Sequence, residues 1–165
     1  DDKKKSRYAA ATYEIVYDCK DRDFEINPDG IITGYKGSKS AITVPDYVNN
    51  IKVKAIGDNV FNNVRLTSVN LPDSVEKIGV SAFANCSLSS ISANGVKTVE
   101  NGAFENCASL VSVNMKNVNN IGNRCFKNCK LLTTIPFSNN VEKLGANAFA
   151  FTGISSAKFP NVLLF

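Results

Sequence analysis

The sequence predicts an α/β repeat solenoid, right-handed, built from short parallel strands and closed at its N-terminal end by a β-hairpin. Three observations carry that prediction. A phenylalanine recurs at near-constant spacing, a short apolar alternation follows each one at a fixed distance, and asparagine is used 21 times in 165 residues. Asn favours turns and caps over helix and strand interiors, so the excess implies one turn built many times.

The repeat organises everything else. Ile56-Gly57-x-x-x-Phe61 recurs as Ile78-Gly79-x-x-x-Phe83, Val99-Glu100-x-x-x-Phe104, Ile121-Gly122-x-x-x-Phe126 and Leu144-Gly145-x-x-x-Phe149, so the rings are 22, 21, 22 and 23 residues apart. Three copies continue with Asn-Cys: Asn85-Cys86, Asn106-Cys107 and Asn128-Cys129. Then comes Leu66-x-x-Val69-x-Leu71, matched by Leu88-x-x-Ile91-x-Ala93, Leu110-x-x-Val113-x-Met115, Leu132-x-x-Ile135-x-Phe137 and Ile154-x-x-Ala157-x-Phe159. Alternation of this kind predicts a strand with one buried face, too short to be stable alone. Copies stacked about 4.8 Å apart pair every strand and turn the apolar positions into columns. Val75-x-x-Ile78 and its equivalents bring the chain back inward, and Gly-x-x-x-Phe predicts one or two helical or 3-10 turns that drop the ring into the core. A strand at a fixed place in a period of 21–23 residues falls within the range of leucine-rich repeats.

Ahead of the repeats, Tyr13, Ile15 and Tyr17, then Phe24 and Ile26, alternate, and Asn27-Pro28-Asp29-Gly30 supplies turn residues before Ile31-Ile32. This predicts a hairpin capping the open end of the solenoid, whose first strand edge is otherwise unpaired. The division is 1–12 as a disordered charged lead, 13–54 as cap and lead-in, and 55–165 as five repeats, the last incomplete. The chain ends Asn161-Val162-Leu163-Leu164-Phe165 with no polar capping unit. Either the natural chain continues or this end is covered by folding back or by self-association with a second molecule. No apolar run approaches the roughly 18 residues of a bilayer span.

Composition removes most catalysis. With no His, the Ser-His-Asp, Cys-His and HExxH constellations are excluded. Asp73, Glu76, Glu100, Glu105 and Glu142 are scattered along a stack and form no facing pair for glycoside hydrolysis. Asp21-x-Asp23-x-Glu25 invites calcium, but Ile26 occupies the position where an EF-hand loop requires Gly. Cys86, Cys107 and Cys129 share one repeat position and therefore form a column; metal ligands converge on a point instead, so these thiols and Cys125 are expected as packing groups. Cys19 alone stands outside the repeat. No metal, cofactor or catalytic residue is assigned. A net charge of +4, spread over the repeats, does not support nucleic acid.

Two polar columns remain. Asn63, Asn85, Asn106 and Asn128 are expected to satisfy turn backbone groups. If Val69 and Leu71 point in, Ser68 and Asn70 point out, and the same offset gives Ser90 and Ser92, Ser112 and Asn114, Thr134 and Pro136, Ser156 and Lys158. That strip of hydroxyls and amides is the candidate partner-binding surface, since solenoids generally bind along their extended sheet face.

The order Leu-x-x-Val-x-Leu-Pro-x-x-Val-x-x-Ile-Gly-x-x-x-Phe-x-Asn-Cys resembles the BspA-like, treponemal-type leucine-rich repeat family, over about residues 42–160. Asp29-Gly30-Ile31-Ile32-Thr33-Gly34-Tyr35-x-Gly37 resembles the lead-in that precedes the first full repeat there. Glu100 in place of the Gly, and Asn94 and Lys116 in place of Pro72, are local departures that leave the period intact. The resemblance implies a non-enzymatic bacterial module, extracellular or on the cell surface, adhering to a protein or glycan of a host, matrix or neighbouring cell. Two rivals stand beside it: an architectural spacer of a larger surface protein with no ligand of its own, and an accessory module of a secreted enzyme.

Overall fold

A computed structural model describes residues 21–163, the side chain of Ser138 excepted. Tyr13, Ile15, Tyr17 and Cys19, the charged lead, and Leu164 and Phe165 lie outside the described residues.

The coils lie against two sheets, a front sheet of four parallel strands and a back sheet of seven. The front sheet contains β3 (Ala41–Thr43), β7 (Ser68–Asn70), β9 (Ser90–Ser92) and β11 (Ser112–Asn114), paired in register so that Ile42, Val69, Ile91 and Val113 form one inward column. The back sheet runs from β1 (Phe24–Ile26) through β2 (Ile31–Tyr35), β6 (Ala55–Ile56), β8 (Lys77–Ile78), β10 (Thr98–Val99) and β12 (Asn120–Ile121) to β13 (Lys143–Leu144). The sequence treats Val75-x-x-Ile78 as a return; two-residue strands at Ile78 and its equivalents make that return a second ladder. A small hairpin, β4 (Tyr47–Val48) with β5 (Ile51–Lys52), turns through Asn49 and Asn50, both at positive φ.

The hairpin expected around Asn27–Gly30 is present. β1 pairs antiparallel with β2, and the Asn27 side chain accepts the amides of Asp29 and Ile31. β2 then enters the back sheet parallel to β6, placing Ile32 over Ile56. The lead-in is thus itself a degenerate turn, with Tyr35 in the place of the repeated Phe: its ring centroid lies 5.4 Å from that of Phe61.

From there the rings of Phe61, Phe83, Phe104, Phe126 and Phe149 stack at 4.9, 5.3, 5.1 and 5.4 Å with planes within 10° of parallel. Leu66, Leu88, Leu110 and Leu132, and Val75, Val96, Val118 and Val141, form further buried columns on either side. The interval between Phe83 and Phe104 is one residue shorter than its neighbours, and within it Gly95 sits in close approach to the preceding turn: a Cβ there would lie 1.9 Å from the Asp73 carbonyl oxygen.

The Gly-x-x-x-Phe segments are tight turns, and the 3-10 geometry found within the repeats is Ser138–Asn140. Positive φ explains them. It occurs two residues before the ring, at Asn59, Ser81, Gly102, Arg124 and Asn147, and two after, at Asn63, Asn85, Asn106, Asn128 and Phe151. Left-handed residues so placed aim alternate amides along the solenoid axis. Ser81, Phe83 and Asn85 donate to Asn101, Ala103 and Glu105 of the next turn, and Gly102, Phe104 and Asn106 repeat the pattern onto Asn123, Cys125 and Lys127. Asn tolerates the left-handed region better than other side chains, which accounts for the Asn of Asn-Cys.

Candidate functional site

The front sheet positions the candidate surface. Its strands alternate, so the outward residues fall into two columns: Ala41, Ser68, Ser90, Ser112 and Thr43, Asn70, Ser92, Asn114. Together they line a trough of about 520 Å³, floored by Ile42, Val69 and Ile91 and bounded at its N-terminal end by Lys39. Ser68, Ser90 and Ser92 are half-buried and Asn70, Ser112 and Asn114 exposed. None of these six side chains makes a hydrogen bond to another described residue.

Six of the nine strip residues named from the sequence, Ser68 to Asn114, are therefore brought together. Thr134, Ser156 and Lys158 are not. All three are exposed but belong to no strand, and the front sheet ends at β11. Pro136 stands where Ser92 and Asn114 stand in earlier turns and has no N–H to donate to the ladder.

Three series of turn asparagines are committed to structure, though differently from the expectation, while Asn94 and Asn119 each keep a buried Oδ1 without a partner. The column after the ring is exposed at Asn63, Asn85 and Asn106, and it bonds to itself rather than to buried backbone. The amide nitrogen of Asn128 donates to Asn106 Oδ1 (2.7 Å), Asn106 to Asn85 (2.9 Å) and Asn85 to Asn62 (3.1 Å). A second series was not read from the sequence. Asp58, Asn101 and Asn123, each three residues before a ring, accept the amides of Val80, Asn123 and Ala146 one turn on. The signal available was a short acceptor side chain at one repeat position. A third series, Asn117, Asn140 and Asn161, donates side-chain amides to carbonyls of the preceding turn.

The cysteine column is buried packing that also bonds. The thiols of Cys86, Cys107 and Cys129 donate to the carbonyls of Phe61, Phe83 and Phe104 at 3.0–3.1 Å. Burial pushes the Cys86 and Cys129 thiols up to about 12, and those of Cys107 and Cys125 well above the ordinary range. Such thiols are poor nucleophiles and poor metal ligands. Among the described residues no three His, Cys, Asp or Glu side chains are grouped to hold a metal ion. Glu25, of the acidic stretch, pairs with Lys36 at 2.5 Å.

Three ion pairs tie turn to turn. Lys97 pairs with Glu76 and Lys77 with Glu100, both at 2.8 Å, and Lys127 with Glu105 at 3.6 Å. The hydrogen bond from Lys97 holds the Glu76 carboxyl below its usual range, and that to Glu100 raises Lys77. The cations on this flank face carboxylates one turn away.

A family model described as BspA type leucine rich repeat region matches residues 54–164 in six copies. The chain belongs to the BspA-type leucine-rich repeat family. The sequence carries five ring-bearing turns, and the match has six copies. No curated protein matches this chain. Among solved structures, this BspA-type domain is similar to a leucine rich repeat protein of T. pallidum, with 31% identity and a TM-score of 0.71, over 78% of this chain and 64% of that one. It is also similar to a leucine rich cell surface protein of Faecalibacterium prausnitzii A2-165, at 25% identity and TM-score 0.56, over 81% and 53% of the two chains. The BspA-type domain thus spans less than two thirds of the length of either relative. Repeats of this family are of a bacterial surface type and are generally protein-interaction modules rather than enzymes. No helix among the described residues is long and apolar enough to cross a membrane.

Proposed function

We propose that this chain is a non-enzymatic binding module, exposed on or secreted from a bacterial cell, that mediates adhesion to a surface or matrix molecule of a host or neighbouring cell through its front sheet. The trough carries this reading. Its two columns of hydroxyls and amides have no partner among the described residues, while the asparagines after the rings are tied into a ladder. Parallel pairing holds these groups in register, so they present one repeated hydrogen-bonding pattern along a concavity of small-ligand scale. The surface location draws support from the F. prausnitzii relative named a cell surface protein.

The columns carry no aromatic or arginine side chain, the usual anchors of tight protein contacts. That favours modest affinity per domain, and it is the observation on which an architectural spacer would rest. The test is binding of the domain to an array of extracellular-matrix proteins and glycans beside a Ser90→Asp/Ser112→Asp/Asn114→Asp variant. Binding lost in a variant of unchanged circular dichroism supports the front sheet as the recognition surface. Binding by neither protein favours the spacer.

A further inference from the structure

Resting on that reading of the front sheet, we infer that the trough takes a neutral oligosaccharide laid along the solenoid axis, across the four strands. Size is the first argument. The trough, about 520 Å³, is of small-ligand scale, whereas a stable protein contact covers about 800 Å² on each partner around a buried apolar anchor. The apolar side chains beneath it, Ile42, Val69 and Ile91, are nearly fully buried and offer no such anchor.

Spacing is the second. Equivalent hydroxyls and amides recur once per strand, about every 4.8 Å along the axis. A peptide lying the same way presents its backbone groups to one side every second residue, about 6.6–6.8 Å, and falls out of step within two strands. A helix seated in a groove needs exposed apolar side chains to take its apolar face, and Ile42, Val69 and Ile91 on this floor are nearly fully buried. A chain of sugar rings meets neither obstacle, because each ring advances by a distance comparable with the strand separation and offers hydroxyls at every step.

Chemistry is the third. A serine hydroxyl both donates and accepts, and an Asn amide presents two donors and one acceptor oxygen, so the columns complement hydroxyl groups in either orientation. No carboxylate lines the trough to demand a cationic ligand, and the one charged side chain, Lys39, stands at its end.

The side-chain amide signals of Asn70 and Asn114 in the ¹⁵N-labelled domain report on the site directly. The probes are the tetrasaccharides of β-1,4-glucose, β-1,4-xylose and α-1,4-glucose, each titrated to about 10 mM, which reaches affinities in the millimolar range. The expected result is saturable movement of both amide pairs and of the Ser90 and Ser112 backbone signals with at least one tetrasaccharide. In an Asn70→Ala/Asn114→Ala variant, whose exposed substitutions leave the fold unchanged by circular dichroism, the affinity falls at least about tenfold. Silence with all three sugars overturns the inference. If matrix proteins still bind, and the triple-Asp variant loses them, the front sheet remains a binding surface and only the glycan assignment fails. If no probe of either kind binds, both fail together.

Discussion

Truncating Phe104 to Ala tests the ring column at its centre. The side chain is fully buried and stacks on Phe83 at 5.3 Å and on Phe126 at 5.1 Å. A buried Phe→Ala change costs about 3–5 kcal/mol through lost transfer energy and the cavity left behind. Each stacked neighbour adds about 0.5–1.5 kcal/mol beyond area burial, which places this substitution at the upper end, near 5 kcal/mol. With urea weakening a domain of this size by about 2 kcal/mol per molar, the denaturation midpoint falls by about 2.5 M. Because each turn contacts only its neighbours, a cavity in the middle also separates the solenoid into two halves, and the single transition broadens or splits. Far-UV circular dichroism against urea reads both effects, with Phe104→Leu as the milder comparison at about 1–1.5 kcal/mol. A midpoint shift below about 0.5 M for Phe104→Ala refutes the column as the main source of cohesion.

Four further outcomes follow from the same geometry. Asn106→Ala, at a φ of 64°, loses both its ladder bonds and its tolerance of the left-handed region and costs about 1.5–3 kcal/mol, while Asn106→Gly loses only the bonds and costs about half as much, by urea denaturation. Arg124→Gly relieves a non-Gly residue at φ 53° and raises the melting temperature, by an amount equivalent to about 0.5–1 kcal/mol. Ser112→Ala/Asn114→Ala changes stability by less than about 0.5 kcal/mol; a large loss would mean that the strand faces the other way. Folding holds the Cys86 and Cys129 thiols protonated to about 12, against 9.0 for an unperturbed thiol. Between those values the unfolded chain has released protons that the folded one retains, so the urea midpoint falls as pH rises from about 9 to about 12, and a Cys86→Ala/Cys129→Ala variant shows a shallower fall.

What could be read from the sequence was whatever the period repeats with a distinctive side chain. Phe83, Phe104 and Phe126, the inward Val69, Ile91 and Val113, and the hairpin at Asn27–Gly30 all declare themselves by spacing or turn chemistry, and the structure puts each where the spacing places it. Backbone conformation was not readable in this way. Asn59, Gly102 and Asn147 favour the left-handed position they share, but Ser81 and Arg124 occupy it without that chemistry, so the identities do not mark it as one. The helical reading of Gly-x-x-x-Phe failed for the same reason, since a turn that sends its amides to the next coil has the same apolar spacing as one that bonds within itself. Tyr35 does not declare itself by spacing because it lacks the Gly-x-x-x before it, although it is an aromatic residue upstream of Phe61. At the candidate site, alternation carried the reasoning correctly through Ser112 and Asn114. It carried it too far at Thr134, where Pro136 ends the ladder.

The amides that run from turn to turn also decide how this chain bears load. Coils joined by hydrogen bonds along the solenoid axis carry the same tension in series when the two ends are drawn apart, so the weakest interface opens first while the others hold. The chain then pays out in steps, each freeing one repeat of 21–23 residues, about 75 Å of extended backbone, at a similar force from step to step. A tether that yields coil by coil absorbs work over a long extension, and it re-forms by each coil closing onto the intact face of its neighbour.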